Sequence, residues 1–134
     1  MPKPKKKPTI TKLKKKAWTL FSKYIRLKYA DDNGYVQCVT CKCIKHWKEM
    51  QAGHYISRRF SFYLFSETNV FPQCVACNMF NKGELGKYCL FLQGKYGKEW
   101  VDERTNTAPP IKQFKRPELE IIIESLKQKL NEHI

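Results

Sequence analysis

Val36-Gln37-Cys38-Val39-Thr40-Cys41 and, further on, Phe71-Pro72-Gln73-Cys74-Val75-Ala76-Cys77-Asn78 decide how this chain folds. Each stretch is a short apolar strand that runs into a C-x-x-C turn. Thiolates bind Zn²⁺ tightly, and two such turns offer four sulfurs to one tetrahedral ion. Four cysteine ligands leave no open coordination position, so a zinc held by Cys38, Cys41, Cys74 and Cys77 would be structural. Cys43 offers a competing sulfur two residues after Cys41, and Cys89 reads as a buried apolar thiol within a helix. Matched knuckles fit a metal in a reducing compartment better than the disulfides of a secreted mini-protein or one reactive redox C-x-x-C.

The 134 residues suffice for one domain. The net charge is +14, which points to a polyanionic partner. Residues 1–28 hold eleven of the 26 basic residues and no acid, whereas the remainder is close to balance. Residues 1–10, with Lys5, Lys6 and Lys7, read as a flexible basic arm. Residues 11–134 read as a single domain. The start is Lys- and Pro-rich and no apolar run has transmembrane length, so a soluble, intracellular protein with no membrane contact is expected.

Leu13, Ala17, Leu20, Tyr24 and Leu27 form one apolar stripe and predict a helix over 11–30, capped by Thr11, with Lys15 and Lys16 off the stripe and open to DNA. Asp32-Asn33-Gly34 is a turn signal and Tyr35-Val36-Gln37 a strand. His46 to Ser57 reads as one strand or hairpin arm, and Asn69-Val70-Phe71 as another strand. A helix is expected from Val75, stopped at Gly83. Further helices are expected over 84–93 and from Pro117 to 131, with Gly94 and Gly97 opposing any continuation between them. The expected fold is α+β: a small zinc-stabilised core over 35–83, a helix before it, and C-terminal helices over 84–134.

Between the knuckles lies Gly53-His54-Tyr55, and Asn78 follows the last cysteine. Hydrolysis of a phosphodiester needs a base for the attacking water and cations on the phosphate oxygens. His54 can be the base, Asn78 can offer an oxygen to a hard ion such as Mg²⁺ or Mn²⁺, and Arg58 or Arg59 can hold the phosphate.

Gln51-Ala52-Gly53-His54-Tyr55 together with Asn69-Val70-Phe71-Pro72-Gln73-Cys74-Val75-Ala76-Cys77-Asn78 resembles the lambdoid-phage Rap (Nin-region) recombination endonucleases, within the ββα-metal (HNH, His-Me finger) nucleases. The resemblance covers about residues 35–100. It implies a ββα-metal core and cleavage of branched or Holliday-junction DNA in the cytoplasm of a bacterial host. It also implies His54 as general base, Asn69 as the residue bracing the hairpin, and Asn78 as ligand of a catalytic Mg²⁺ or Mn²⁺. Asn81, one helical turn on, could face the same ion, and Lys82 would contact DNA. Many relatives carry Asp where this chain has Gly53. The missing carboxylate would come from elsewhere, with Glu49 and Glu67 nearest in sequence, or the metal would be bound weakly through Asn78, Asn81 and waters, or His54 itself would bind it. The alternative function is a non-catalytic zinc module that binds DNA. A twofold dimer through Ile121-Ile122-Ile123 would suit paired strand cleavage.

Overall fold

A computed structural model of the chain describes residues 6–132. Lys5 and the start of the basic arm lie outside the described residues, while Lys6 and Lys7 are exposed ahead of the first helix. That helix, α1, runs Ile10–Lys28 and is capped by Thr9, whose hydroxyl accepts from the Lys12 backbone N–H at 3.2 Å. The cap is thus Thr9 and not Thr11, which sits inside the first turn. Such a cap contributes about 1 kcal/mol. The stripe of α1 buries Leu13, Ala17, Phe21, Tyr24 and Ile25. It packs on the last helix, Arg116–Glu132, which buries Leu119, Ile123, Leu126 and Leu130. Two of the three isoleucines expected at a dimer interface therefore pack inward, and Ile121 alone of the run stands out, at 70% exposure.

Strands β1 (Tyr35–Gln37) and β2 (Ile44–His46) pair antiparallel around the first knuckle. Strands β3 (Met50–His54) and β4 (Val70–Cys74) form a second antiparallel pair, Met50 opposite Cys74 and His54 opposite Val70. The arm expected over 46–57 is therefore two strands separated by a 3₁₀ turn at Trp47–Glu49. The Trp47 N–H bonds the Gly34 carbonyl at 2.8 Å, which pulls the chain back to the β1 turn before it sets out again as β3.

The β3–β4 hairpin is covered on both faces. Ala52 and Val70 pack in the cluster with α1, whereas Phe71 packs on Tyr88 and Leu92. All five residues of β4 are buried. The segment expected as a helix from Val75 is instead a single π turn, Ala76–Phe80. It is followed by three residues of positive φ, Lys82, Gly83 and Glu84, that no α-helix can contain. Helix α2 (Leu85–Tyr96) then runs to Gly97, whose φ of 95° breaks it from α3 (Lys98–Asn106), and the closing helix Arg116–Glu132 is α4. Helix α3, which the glycines argued against, forms because Gly97 ends one helix and precedes the next. The described residues form a mixed α+β fold with two small sheets.

Candidate metal centre and catalytic cleft

The sulfurs of Cys38, Cys41, Cys74 and Cys77 all lie within 4.8 Å of one another, with Cys41 and Cys74 at 3.6 Å. A zinc tetrahedron with bonds of about 2.3 Å needs sulfur separations of about 3.8 Å. The donor set and spacing therefore fit, and the four cysteines can hold a metal such as zinc. Cys38, Cys74 and Cys77 are buried and Cys41 is at the surface. Burial opposes ionisation of Cys38, but hydrogen bonds from the Thr40 hydroxyl and nearby backbone bring it down to about 6. Cys77 is pushed up to about 12, by burial first and then by its sulfur neighbours. A cation at the centre would remove that opposition. Cys43 lies outside the close group of four, and burial together with Cys41 and Cys74 pushes its thiol up to about 12.

His54 ends β3 with its ring stacked on Trp18 of α1, centroids 4.8 Å apart and planes 27° apart. Its Nε2 lies 3.2 Å from the Leu64 carbonyl oxygen. A carbonyl only accepts, so Nε2 carries the proton and Nδ1 keeps the free lone pair. Burial, with the Arg58 guanidinium as a lesser cause, lowers the imidazole to about 4 against the help of that hydrogen bond. Arg58 stacks over the other member of the stack, 5.1 Å from the Trp18 ring. Trp18, His54, Arg58, Asn78 and Lys82 line one cleft of 270 Å³. A neighbouring cleft of 420 Å³ shares Trp18, Ala52, Arg58 and Asn78 and adds Ser22, Arg26 and Gln51.

Asn78 sits on the π turn and donates through Nδ2 to Gln51 Oε1 at 2.8 Å, so its own Oδ1 is left to accept. Cys77 ties the same turn to the knuckle. Asn69 is fully buried away from the cleft; its amide exchanges both hydrogen bonds with the Ile56 backbone, at 2.8 and 3.0 Å. It fixes the exit of β3 and touches no cleft. Asn81 caps the π turn, is exposed, and lines neither cleft. Arg59 stacks on Phe60 at 5.1 Å and also lines neither. Lys15 and Lys16 are exposed, and Lys15 extends the helical row Trp18, Ser22, Arg26 that faces the larger cleft.

Neither carboxylate expected to replace the one missing at Gly53 is in place. Glu67 pairs with Lys28 at 3.1 Å and Lys129 at 3.7 Å, and Glu49 ends the 3₁₀ turn before β3, at the opposite end of that strand from His54. Among the described residues no Asp or Glu lines either cleft. The gap has a structural cause. A Cβ on Gly53 would sit 1.8 Å from Gln73 Oε1. Gln73 is fully buried and donates to the Gly83 carbonyl at 2.9 Å and to the Thr40 hydroxyl at 3.2 Å. The Thr40 hydroxyl in turn lies 3.3 Å from the Cys38 sulfur. Gln73 thus links the knuckle to the left-handed turn that carries Lys82, and it occupies the space any side chain at Gly53 would need.

Sequence reasoning missed Trp18, Arg26 and Tyr88. Trp18 and Arg26 stand one position off the apolar stripe of α1, at the spacing of their own row, which is a legible signal. Tyr88 donates to the Gly53 carbonyl at 2.7 Å from helix α2, a long-range contact with no local sequence mark.

The sequence profile described as Bacteriophage Lambda NinG protein matches residues 3–133. Over 67 residues, 49% of this chain, the sequence is 36% identical to protein ninG of Escherichia phage lambda and of Escherichia phage 933W. The aligned stretch spans about a third of those relatives, 32% and 33% of their lengths. No solved structure matches. The assignment to Rap endonucleases within the HNH superfamily is corrected by this match: the family returned is NinG, and the profile carries neither an activity nor the HNH name. With the profile covering nearly the whole sequence, the chain belongs to the NinG family of bacteriophage lambda.

Proposed function

We propose that the chain hydrolyses DNA phosphodiester bonds, with His54 as general base and a structural zinc at the four cysteines. One observation carries the reading: the His54 imidazole, whose Nε2 proton goes to the Leu64 carbonyl so that Nδ1 keeps a lone pair, lines one cleft with the cations Arg58 and Lys82. Arg58 and Lys82 hold the phosphate; Nδ1 takes a proton from the attacking water as its oxygen bonds to phosphorus. The bond from phosphorus to the leaving sugar oxygen breaks, and that oxygen gains a proton from solvent. One strand end keeps the phosphate and the other a hydroxyl. A phosphate beside Arg58 offsets its charge and so raises the basicity of His54 in the complex.

Of the two asparagines expected to hold a catalytic Mg²⁺ or Mn²⁺, Asn78 lines the cleft with its Oδ1 left to accept and Asn81 does not, so such an ion would rely largely on phosphate oxygens and water. Bound there, it would withdraw charge from the phosphoryl oxygens. The stock of lysines outside the cleft, Lys15 and Lys16 among them, supplies sequence-independent affinity. No described helix is long and apolar enough to cross a membrane, and a DNA substrate in the host cytoplasm suits the reading.

The second reading, a zinc-containing module that binds DNA without cutting it, is favoured by the lack of any described carboxylate in the clefts. Incubation of the zinc-loaded chain with linear, flapped and four-way DNA, with and without Mg²⁺ or Mn²⁺, separates the two. Metal-dependent strand cleavage supports hydrolysis and preference for the branched forms supports a recombination substrate. Tight binding with no cleavage under any of these conditions leaves only the second reading.

A further inference from the structure

Phe80 and Met79 are large apolar side chains left exposed on the π turn. Phe80 is 79% exposed and Met79 62%, and Leu85 close by is 52% exposed. The pair is not on a loose loop. Asn81 N–H bonds the Ala76 carbonyl and Gly83 N–H the Cys77 carbonyl, each at 2.8 Å, so the turn is pinned to a knuckle cysteine. Among the described residues no ring or cation stacks on Phe80. In the chain Phe80 lies between Met79, which lines the larger cleft, and Lys82, which lines the cleft of His54.

An exposed apolar pair on a pinned turn, followed in the chain by Lys82, fits a partner that is at once flat, apolar-faced and anionic. A nucleobase with its phosphate has that chemistry. A second copy of this chain fits less well, because a twofold contact at this turn would bring the two Lys82 side chains together. We propose that Phe80, with Met79 beside it, stacks on a base displaced from the helix next to the phosphate held by Arg58 and Lys82, so that the chain prefers DNA with an unstacked base to regular duplex. The inference deepens the DNA reading above and rests on it.

The test uses the full zinc-loaded chain without added Mg²⁺ or Mn²⁺. Its probes are a duplex carrying one unpaired 2-aminopurine and the same duplex fully paired. The parent binds the first about tenfold tighter, and the fluorescence of the unpaired base changes on binding. Phe80→Ala loses both the preference and the fluorescence change while keeping duplex affinity and salt slope; Phe80→Trp keeps them. Retention of the preference by Phe80→Ala overturns the inference. So does self-association of the parent in sedimentation that Phe80→Ala abolishes, which gives the patch to a second copy. If the parent binds neither DNA, the DNA reading itself falls, and this inference with it.

Discussion

At the scale of single residues, His54 and Gly53 are neighbours with opposite demands. His54 must stay uncharged against Trp18, and its pKa of about 4 lies below the 6.5 of an unfolded histidine. The unfolded chain therefore takes up the proton first as pH falls. The contribution of this residue to stability is complete above about pH 6.5 and is lost as pH drops from there to about 4. NMR titration should show no His54 transition between about pH 5 and 8, and Arg58→Ala should move it upward. A His54 midpoint near the ordinary value would remove the buried stack from the account. Gly53 must have no side chain because Gln73 Oε1 fills that space. Gly53→Ala should lower stability by about 1–3 kcal/mol in urea unfolding, since the amide must give up its bonds to Gly83 and Thr40 or clash. An unchanged midpoint would show that Gln73 swings away freely. The cysteine spacing was legible in the sequence because it is a local pattern, and His54 and Asn78, singled out beside it, line one cleft. The Gly53–Gln73 contact was not, because it depends on the register that sets Gln51 opposite Gln73 and so brings Gln73 diagonally beside Gly53.

At the scale of elements, the knuckle does the work of a core. The residues around it, Val36 and Met50 with the cysteines, form a small cluster that cannot on its own repay the ordering of two hairpins. Cys74→Ala with Cys77→Ala should therefore abolish zinc binding and unfold the region, read by elemental analysis and circular dichroism. A zinc-free variant with the parent's melting curve would contradict this. Cys43→Ala should keep one zinc per chain, because the four closest sulfurs exclude it. The helical stripes of α1 and α4 were legible from periodicity, and both pack as that periodicity requires. The π turn was not. A helix start after C-x-x-C reads the same whether the ladder continues in α or widens to π. What selects π here is the pair of bonds from Asn81 and Gly83 back to Ala76 and Cys77, together with three left-handed residues in a row.

At the scale of the molecule, charge and cleft act together. The cationic row of α1 leads from Lys15 past Trp18 to Arg26 along the larger cleft, so DNA laid on it would pass His54. Lys15→Ala with Lys16→Ala should make the log–log salt dependence of DNA binding shallower by about two units. An unchanged slope would place the DNA elsewhere. The role of His54 as general base is tested by comparing cleavage by the parent and by His54→Ala, each carrying one zinc and binding DNA equally, in Mg²⁺ or Mn²⁺. His54→Ala should lose about two to four orders of magnitude in rate with affinity preserved, as expected when only the base is removed. Cleavage by His54→Ala at the parent's rate would contradict it.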